Sequence, residues 1–591
     1  MSLDNIDSTD NNMAPVQTPI ETTGDAIVAA MVAGGVDHLF FTSGSEIGFY
    51  QEAVAKARAH GHNNPMRLVT VPHEHISLNA ALGYAAVSGR PAATAVHVDV
   101  GTLHMGGAIH TAWRSGLPVV MTAGFPPTAA TGSMPGSREE GGHLWMQETY
   151  DQNGIVRNYT KWDHKLAYQD NPGLVTSRAI QVARSQPAGP VYISVPKELS
   201  LMKVTEPKFP TANQLGIVEG PAPDPVSVRE ITERLIGGNQ PVVVVSRSGR
   251  NPDSVAPLVA LCELLGLAVV ESAQMAFLCF PSTHPLYQDQ SALDGADSVL
   301  VLDCEVPWLP RTNAPGAGAY IADVTFDPIK MRTPIYEFVA NRRLAADPLL
   351  TIQAITEAAH GLLTDADRKR IAERSKTLAA TSKARIASDE ETAMARAHDT
   401  PIDPRWLSYQ IGQAIDDNCI VLNDTLGGSG LRSYLPCNRP GSFFSSTGSS
   451  GGWAPGAAFG AKLAAPDRDI VAVSGDGFYM FGTPAPALWA AARHGAPFLM
   501  IVYTNRSYTT GTLGVVRSFG KDSYAEKAGF EGGYFDPPID FAKEAEAAGA
   551  YGENVTDPAE VGASLKRGLE QVRGGKPAVI SVWLKRLVDG G

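Results

Sequence analysis

The sequence feature that most constrains the fold of this chain is the stretch of residues 471–508. An apolar run over residues 469–474 has strand character and ends at the tripeptide Gly475-Asp476-Gly477. A helical pattern over residues 486–494 follows, and a second buried strand is predicted over residues 496–504. This strand–helix–strand order predicts one unit of a parallel α/β sheet.

The two strands end in polar residues that can act together. Asp476 follows the first strand, and Asn505, Arg506 and Ser507 follow the second. Because a right-handed βαβ crossover returns the second strand parallel to the first, both ends are predicted to lie at one edge of the sheet. A carboxylate, an amide oxygen and a backbone carbonyl can converge there on a hard cation that holds phosphate oxygens. A tight turn would explain Gly-Asp-Gly alone, so the prediction depends on the following strand and on Asn505.

Length and composition indicate a large, well-buried enzyme. A chain of 591 residues is expected to form three or four domains, and 44% hydrophobic with 18% charged residues is typical of a globular protein. The net charge of −13 argues against nucleic-acid partners or anionic membranes. The five cysteines contain no CxxC pair, which favours a reducing compartment without structural zinc. No apolar run is long enough to span a bilayer, and the polar first residues lack a secretory core, so a cytoplasmic location is expected.

The alternation of predicted strands and helices indicates an α/β fold with three doubly wound parallel-sheet domains. Residues 81–86 and 458–463 carry similar small-residue helices, each before a strand that ends in glycine, which suggests that the first and third domains are copies of one fold. The packing of small-residue helices would by itself give the same sequence similarity, without any functional cause. The expected divisions are a disordered tail (1–18), a first domain (19–200), a linker (201–225), a central domain (226–363), a linker helix (364–400) and a third domain (401–591).

The Gly-Asp-Gly…Asn stretch and the echoed domains resemble the thiamine-diphosphate enzymes of the pyruvate oxidase, acetolactate synthase and benzoylformate decarboxylase group. The resemblance covers nearly the whole chain after residue 19 and implies pyrimidine-binding (PYR), central and diphosphate-binding (PP) domains in that order. It implies thiamine diphosphate as the cofactor, with Mg²⁺ held by the side chains of Asp476 and Asn505 and by the carbonyl of Ser507. The other cofactor-binding residues implied around this stretch are Gly475, Gly477, Phe478 and Tyr508.

Glu74 is the candidate for activating the cofactor. It follows a predicted strand and precedes a small-residue helix over residues 78–88, which is the context of the glutamate that hydrogen-bonds the cofactor's aminopyrimidine ring in this group. The aminopyrimidine then removes the proton from thiazolium C2. Without the resemblance, Glu74 would more simply be an exposed first-turn residue favoured by the helix dipole. The group places this glutamate opposite the PP domain of another subunit, so the resemblance also implies a homodimer or homotetramer.

Two further segments of the third domain are expected to hold the cofactor. Asn423 and Thr425, with Gly427-Gly428-Ser429, follow a predicted strand and can serve the diphosphate, although a generic turn explains them nearly as well. Residues 447–454 match the segment that supports the cofactor's bent form, which adds Gly451, Gly452 and Trp453. The group usually has Leu or Met where Gly451 stands. Either the alignment slips locally, or another side chain, Trp453 or Met480, fills this space.

Within the group, the first domain is most similar to benzoylformate decarboxylase. His97 corresponds to the proton-transfer histidine of that family, Ser45 to its substrate-carboxylate serine, and His284 to its second active-site histidine. A histidine suits this task because it titrates near the working pH. His97 and His284 could equally be structural histidines.

Asp99 departs from this pattern, since that family has small uncharged residues there. An ionised Asp99 pointing inward would raise the pKa of His97 and disfavour an anionic substrate. Residues 510–535 are expected to form a loop over the site.

The resulting prediction is a thiamine-diphosphate- and Mg²⁺-dependent lyase that cleaves, and also forms, a C–C bond next to a carbonyl. A 2-oxo acid decarboxylase and carboligase of benzoylformate decarboxylase type is the first interpretation. The alternatives are an acetolactate-synthase-like transferase without flavin, a 2-hydroxyacyl-CoA, acyloin or diketone lyase, and an inactive homologue that only binds. The expected partner is a small carbonyl substrate, with no nucleic acid and no membrane.

Overall fold

The computed structural model describes residues 19–61, 66–138, 141–205, 208–272, 274–425, 430–448 and 450–586. These residues form three parallel β-sheets flanked by helices. The predicted α/β class with three doubly wound sheets is therefore confirmed. No helix within the described ranges is long and apolar enough to cross a membrane.

The first sheet has six strands in the order β2-β1-β3-β4-β6-β5, all parallel. Its strands are β1 (His38–Phe41), β2 (Arg67–Thr70), β3 (Ala92–Val96), β4 (Val119–Phe125), β5 (Trp162–Lys165) and β6 (Val191–Pro196). Its helices are α1 (Thr23–Ala33), α2 (Phe49–Ala59), α3 (Glu74–Ser88), α4 (Val98–His104), α5 (Gly107–Ser115), α6 (His143–Met146), α7 (Pro172–Arg184) and α8 (Lys197–Ser200). Thr22 and Asp25 form the capping box that begins α1, as their spacing predicts.

The central sheet has five parallel strands in the order β11-β10-β9-β7-β8. Its strands are β7 (Pro241–Val245), β8 (Ala268–Glu271), β9 (Ser298–Leu302), β10 (Tyr320–Thr325) and β11 (Arg342–Ala345). Its helices are α9 (Pro225–Gly237), α10 (Val255–Leu265), α11 (Pro348–Leu362) and the long connecting helix α12 (Asp365–Met394). The five residues of β7 are all buried, because a parallel sheet covered by helices hides both faces of its strands.

The third sheet has six parallel strands in the order β13-β12-β14-β15-β17-β16. Its strands are β12 (Ile420–Asp424), β13 (Phe443–Ser445), β14 (Ile470–Gly475), β15 (Leu499–Thr504), β16 (Tyr551–Val555) and β17 (Ala578–Trp583). Its helices are α13 (Pro404–Ala414), α14 (Leu431–Tyr434), α15 (Ala454–Ala464), α16 (Asp476–Phe481), α17 (Pro484–His494), α18 (Thr509–Phe519), α19 (Tyr524–Lys527), α20 (Phe541–Ala547) and α21 (Val561–Arg573).

The first and third sheets have the same strand order when each is numbered along its own segment of chain. Their echoed helices, α3 and α15, pack directly against each other in the largest hydrophobic core. A Cβ atom at Gly83 would lie 2.1 Å from the Ala457 carbonyl oxygen, and one at Gly460 would lie 1.9 Å from the Ala80 carbonyl oxygen. The small residues of the echo are therefore required by close approach of the two helix backbones.

The structure differs from the predicted elements at three places near the site. Helix α3 begins at Glu74, four residues earlier than predicted, because the His73 side chain accepts a hydrogen bond from the His75 amide and caps the helix. The strand that follows residues 81–86, which the sequence predicts to end in glycine, stops at Val96, and α4 starts directly after His97 and contains Gly101. The segment 510–535 is mostly helical rather than an open loop, since it contains α18 and α19.

Candidate active site

The two polar strand ends meet at the carboxyl edge of the third sheet. Asp476 follows β14 and is 2% exposed, and its Oδ1 accepts a hydrogen bond from the Gly477 amide at 2.8 Å. Its Oδ2 accepts a hydrogen bond from the Arg506 amide at 2.5 Å, which ties it to the segment that follows β15. Burial raises the pKa of Asp476 to about 6, although both amides act in the opposite direction. A cation beside this carboxylate would favour its charged form.

Asn505 and Ser507 add oxygen atoms that could bind a metal ion at the carboxyl edge of the third sheet. The Asn505 Oδ1 accepts a hydrogen bond from the Ser507 amide at 3.0 Å, and Ser507 is buried. No group of three or more His, Cys, Asp or Glu side chains that could hold a metal occurs in the described parts of the chain. One carboxylate with amide and carbonyl oxygens instead fits a hard cation that keeps water and binds phosphate, so these residues fit Mg²⁺.

Aromatic rings surround the Gly-Asp-Gly turn. The Tyr508 ring stacks on Phe481 with centroids 5.9 Å apart and meets Phe535 edge-on at 4.4 Å. A Cβ atom at Gly477 would lie 3.1 Å from the Tyr508 ring, so Gly477 allows this ring to cover the turn. Gly475 ends β14 directly before Asp476.

The carboxyl end of β12 fixes the glycine-rich segment before α15. Asn423 Oδ1 accepts hydrogen bonds from the Thr425 amide at 3.2 Å and from its hydroxyl at 2.7 Å. Between them, the buried Asp424 accepts hydrogen bonds from the amides of Gly452, Trp453 and Ala454 at 2.9–3.2 Å. Sequence reasoning had not assigned a role to Asp424. The predicted contacts at Gly427, Gly428 and Ser429 lie outside the described residues.

Phe478 is the side chain that faces Gly451. Gly451 and Gly452 have φ angles of +73° and +85°, which favour glycine. A Cβ atom at Gly451 would lie 2.6 Å from Phe478 Cδ1, so the Phe478 ring already occupies the space that a larger residue there would need. The expectation that Trp453 or Met480 fills the space under the cofactor stays a prediction, and Phe478 is a further candidate. Trp453 is buried at the start of α15. Met480 instead lines a separate cleft beside α20.

Glu74 is a buried carboxylate rather than an exposed first-turn residue. It is 8% exposed, and His104 Nδ1 lies 3.4 Å from its Oε2. A Cβ atom at Gly101 would lie 3.4 Å from both Glu74 Oε1 and His97 Cβ, so these two side chains flank the same glycine. A buried carboxylate with remaining acceptor capacity fits a hydrogen bond to a ring nitrogen of the aminopyrimidine.

The helix that begins with Glu74 faces the PP domain of its own chain. His75 Nε2 lies 3.1 Å from the Gly452 carbonyl oxygen, and Asn79 Nδ2 donates to the same oxygen at 3.4 Å. The hydroxyls of Thr111 and Ser450 form a further hydrogen bond between the two domains. The resemblance implied that Glu74 faces another subunit, but this contact is made within one chain. Assembly into a homodimer or homotetramer therefore stays a proposal. The contact between the two domains forms within one chain and does not depend on a second subunit.

His97 is held between a carboxylate and an amide. Its Nδ1 lies 2.5 Å from Glu46 Oε2, and its Nε2 lies 2.9 Å from Gln147 Oε1. The other Glu46 oxygen accepts a hydrogen bond from the Val98 amide at 3.1 Å. Burial would lower the pKa of His97, but Glu46, with smaller contributions from Gln147 and then Asp99, raises it above its usual value. Asp99 therefore acts in the predicted direction, but Glu46, which sequence reasoning missed, is the main cause.

Ser45 lies beside this pair. Its hydroxyl is 3.4 Å from Glu46 Oε2 and 3.4 Å from His143 Nε2. Asp99 lies in the first turn of α4, where its Oδ1 accepts a hydrogen bond from the Val100 amide at 2.7 Å, and burial raises its pKa. In the sequence, only the position of Glu46 next to Ser45 pointed to a role for it. Nothing in the sequence pointed to His143 or Gln147, because they are about 50 or more residues from their partners and acquire their roles only in the folded chain.

His284 does not join this cluster in the described chain. Its Nε2 pairs with Glu263 at 3.2 Å, its Nδ1 accepts a hydrogen bond from the Leu286 amide at 3.2 Å, and its ring meets Phe280 edge-on. These contacts lie in the central domain and explain the residue structurally. A catalytic role for His284 stays a prediction that the single chain does not support.

Two family models match the outer domains. The N-terminal TPP binding domain of thiamine pyrophosphate enzymes matches residues 21–155, and the C-terminal TPP binding domain of these enzymes matches residues 427–582. The two models include Glu74, His97, Asp476 and Asn505.

Curated relatives extend the similarity over nearly the whole chain. A protein named benzoylformate decarboxylase from Pseudomonas aeruginosa is 28% identical, with 86% of this chain and 90% of the relative covered. A sulfoacetaldehyde acetyltransferase from Castellaniella defragrans is 26% identical, covering 96% and 93%. A probable acetolactate synthase large subunit from Methanococcus aeolicus is 23% identical, covering 92% and 89%.

A solved structure shares the fold. The thiamine diphosphate-dependent 4-hydroxybenzoylformate decarboxylase of Rhodococcus jostii superposes with a TM-score of 0.74 at 22% identity, covering 96% of this chain and 99% of that one. Two matched cofactor-binding domains, relatives aligned along the full length and a shared fold support the resemblance seen in the sequence. The chain belongs to the thiamine-diphosphate-dependent enzymes of the benzoylformate decarboxylase and acetolactate synthase group.

Proposed function

We propose that this enzyme is a Mg²⁺-dependent 2-oxo acid decarboxylase and carboligase of benzoylformate decarboxylase type. The observation that carries the proposal is that Glu74 Oε1 and His97 Cβ both lie 3.4 Å from the Cβ position of Gly101. One is a buried carboxylate, and the other is a histidine whose pKa is raised, so the site offers both an activating acceptor and a proton donor. When bound, thiamine diphosphate supplies the carbon nucleophile and the electron sink for C–C cleavage.

The residues around the proposed site have distinct tasks. Asp476, Asn505 and the Ser507 carbonyl hold Mg²⁺, and Asn423 and Thr425 serve the diphosphate end. Glu74 holds the aminopyrimidine through a hydrogen bond. Charged His97 binds the substrate carboxylate and, after CO₂ leaves, donates a proton from Nε2 to the reacting carbon. Ser45 Oγ donates a hydrogen bond to the same carboxylate.

Acyl transfer to a second carbonyl compound is the second candidate, and the similarity to an acetyltransferase and to acetolactate synthases favours it. The two candidates share every step up to cleavage and differ in what captures the product. A cytoplasmic location is proposed because the five cysteines are free and buried. Assembly into a homodimer or homotetramer is likewise proposed.

Mass spectrometry of the native protein, followed by a panel of 2-oxo acids monitored for CO₂ release, tests the function. Bound thiamine diphosphate and CO₂ from an aromatic or aliphatic 2-oxo acid would support the decarboxylase. Bound cofactor with no CO₂ from any member would refute it and favour a non-decarboxylating lyase. Failure to bind the cofactor with Mg²⁺ supplied would point to an inactive homologue.

Replacing Glu46 by glutamine should shift the pH dependence of turnover. Glu46 raises the pKa of His97, so the neutral amide is expected to lower that pKa. His97 is active while protonated, so the rate is lost as pH rises through its pKa, and the basic limb of the kcat profile should move to lower pH. Asp99→Asn is the matched comparison and should shift the limb less, because Asp99 contributes less than Glu46 to the raised pKa of His97. A basic limb that does not move in Glu46→Gln contradicts the assignment.

Replacing Phe478 by alanine should weaken cofactor retention. The ring fills the space beside Gly451 where the group has a large side chain, so its removal leaves a void under the bent cofactor. We expect about a tenfold rise in the Kd for thiamine diphosphate, measured by calorimetry in saturating Mg²⁺. Phe478→Leu keeps most of the volume and should retain the cofactor nearly as well as the parent. Equal Kd values for the alanine variant and the parent would assign the support to another residue.

A further inference from the structure

Asp424 holds the start of α15 through a single carboxylate oxygen. It is 1% exposed, and its Oδ2 accepts hydrogen bonds from the amides of Gly452, Trp453 and Ala454. The Trp453 side chain makes no capping hydrogen bond to the helix, so Asp424 supplies the acceptor that these buried amides need. Burial raises the pKa of Asp424 to about 6, although the three amides act in the opposite direction. The carboxylate is therefore mostly charged at neutral pH, and the α15 dipole favours that charge.

The peptide group between Gly452 and Trp453 connects this carboxylate to the PYR domain. Its N–H donates to the carboxylate at 2.9 Å, and its carbonyl oxygen accepts a hydrogen bond from Asn79 Nδ2 at 3.4 Å. His75 Nε2 lies 3.1 Å from the same oxygen. Asn79 and His75 belong to α3, the helix that begins with Glu74. One peptide group thus joins the end of β12 to the helix that carries the proposed activating carboxylate.

The same peptide group packs against α16 on a third side. Gly452 has a φ angle of +85°, and a Cβ atom there would lie 2.6 Å from the Gly482 amide nitrogen and 2.7 Å from the Phe481 carbonyl carbon. Phe481 is the last residue of α16, which begins with the proposed metal ligand Asp476. Because these backbones are in close contact, a shift of the peptide group would change the distance between α3 and the carboxyl edge of the third sheet.

We propose that Asp424 is a positioning residue: by fixing the Gly452–Trp453 peptide group, its charge sets the position of Glu74 relative to the cofactor bound on the PP domain. The inference rests on the proposed function, because it takes Glu74 as the group that activates the cofactor. It adds a residue of the PP domain that acts on this step through two successive hydrogen bonds. Such alignment matters because a misplacement of about 1 Å can cost about 100-fold in rate.

Asp424→Asn tests the charge while keeping the shape of the side chain. All three amides point to Oδ2, so the asparagine oxygen can take the place of Oδ2 and its NH₂ group that of Oδ1. The neighbouring Ser446 hydroxyl can accept a hydrogen bond from this NH₂ group. Hydrogen bonds to a charged acceptor are roughly twice as strong as those to a neutral one, so the segment is held less firmly. With thiamine diphosphate and Mg²⁺ saturating and no substrate, deuterium exchange at C2 should be about tenfold slower than in the parent.

A second measurement uses the protein without cofactor. Hydrogen exchange of backbone amides, followed by mass spectrometry, reports how firmly residues 450–454 and the N-terminal half of α3 are held. In Asp424→Asn, peptides from both regions should exchange at least about tenfold faster, because the peptide group after Gly452 joins them. Faster exchange in residues 450–454 alone would show a cap of α15 and overturn the coupling to α3.

Asp403→Asn is the matched control. Asp403 is a buried carboxylate of the same domain that caps α13, where its Oδ1 accepts a hydrogen bond from the Arg405 amide at 2.8 Å. Loss of this charge should lower the melting temperature, as in Asp424→Asn, but leave exchange at C2 and in α3 at the parent rate. If Asp403→Asn slows exchange at C2 as much as Asp424→Asn does, the effect is general destabilisation and the inference fails.

Asn79→Ala supplies a second variant from the other side of the Gly452 carbonyl. It removes a donor to this oxygen and should also slow exchange at C2 about tenfold. If Asp424 acts through this peptide group, the Asp424→Asn, Asn79→Ala double variant should be about as slow as the slower single variant. A double variant slowed by the product of the two single effects, about 100-fold, would show independent action and overturn the inference.

These results separate the inference from the proposed function. Exchange at C2 is measured without substrate, so a failure to release CO₂ from any 2-oxo acid would refute the decarboxylase and leave the role of Asp424 standing. Parent-rate exchange in Asp424→Asn together with slow exchange in Glu74→Gln would overturn the role of Asp424 and leave Glu74 as the activating group. Parent-rate exchange in Glu74→Gln would refute the proposed role of Glu74, and the positioning inference with it.

Discussion

Replacing Asp476 by alanine is expected to abolish the metal-dependent retention of thiamine diphosphate. Asp476 is the one carboxylate of the proposed Mg²⁺ ligands, and it is buried with both oxygens directed by neighbouring amides. Changes in the residues that only support a metal ligand already cost about 10–100-fold in affinity, so loss of the ligand itself should cost at least about 100-fold. Dialysis of the loaded protein followed by mass spectrometry measures the cofactor and the metal that remain.

Asp476→Asn is the control that separates metal binding from folding. The amide oxygen can still accept the hydrogen bond from Arg506, so the connection between the ends of β14 and β15 is kept while the negative charge is lost. The amide nitrogen then faces the Gly477 amide, which loses its acceptor. We expect this variant to melt slightly below the parent without cofactor, and to retain cofactor poorly. Normal retention of both metal and cofactor by Asp476→Ala would remove Asp476 from the ligand set.

The parts of the site that could be predicted from the sequence are those set by residues that lie close together along the chain. Asp476 and Asn505 each follow an apolar strand within one βαβ unit, and parallel pairing alone brings the two ends together. The helix after Glu74 was likewise recognised from its small residues. Its start was predicted four residues late, because a cap formed by the His73 ring has no signature in the usual capping residues.

The parts that could not be predicted depend on tertiary partners. Glu46 and Gln147 become important only because folding brings them to opposite sides of the His97 ring. Nothing in their spacing along the chain distinguishes them from ordinary surface residues. The same holds for Phe478, whose position relative to Gly451 follows from a left-handed glycine backbone that sequence alone does not fix.

The segment 510–535 shows a third kind of limit. Its glycines and charges indicated a loop, yet Thr509–Phe519 forms a helix with Thr512 buried against the Gly533 backbone. Glycine costs about 1 kcal/mol in a helix interior, which tertiary packing readily offsets. The covering of the Gly-Asp-Gly turn is thus more ordered than predicted, and Tyr508 stands at the start of that helix.

Replacing Glu74 by glutamine should slow turnover severely while leaving the fold and cofactor binding nearly intact. The substitution keeps the size and shape of the side chain beside Gly101, so packing between α3 and α4 is preserved. A neutral amide cannot stabilise the protonated aminopyrimidine nitrogen as a carboxylate does, so loss of the C2 proton should slow. We expect kcat to fall about 100-fold or more, which is the usual contribution of a positioned acid or base. Deuterium exchange at C2, followed by NMR after acid quench, measures this step directly.

His104→Gln is the matched control for Glu74→Gln. It removes the imidazole that lies 3.4 Å from Glu74 but leaves the carboxylate in place. Because the His104 side chain is 63% exposed, its ion pair with Glu74 is expected to contribute little, and exchange at C2 should change by only a few-fold. If Glu74→Gln instead exchanges the C2 proton and turns over at the parent rate, the carboxylate is not the activating group. The buried position of Glu74 would then have to be explained by its packing at the start of α3, where a glutamine serves equally well.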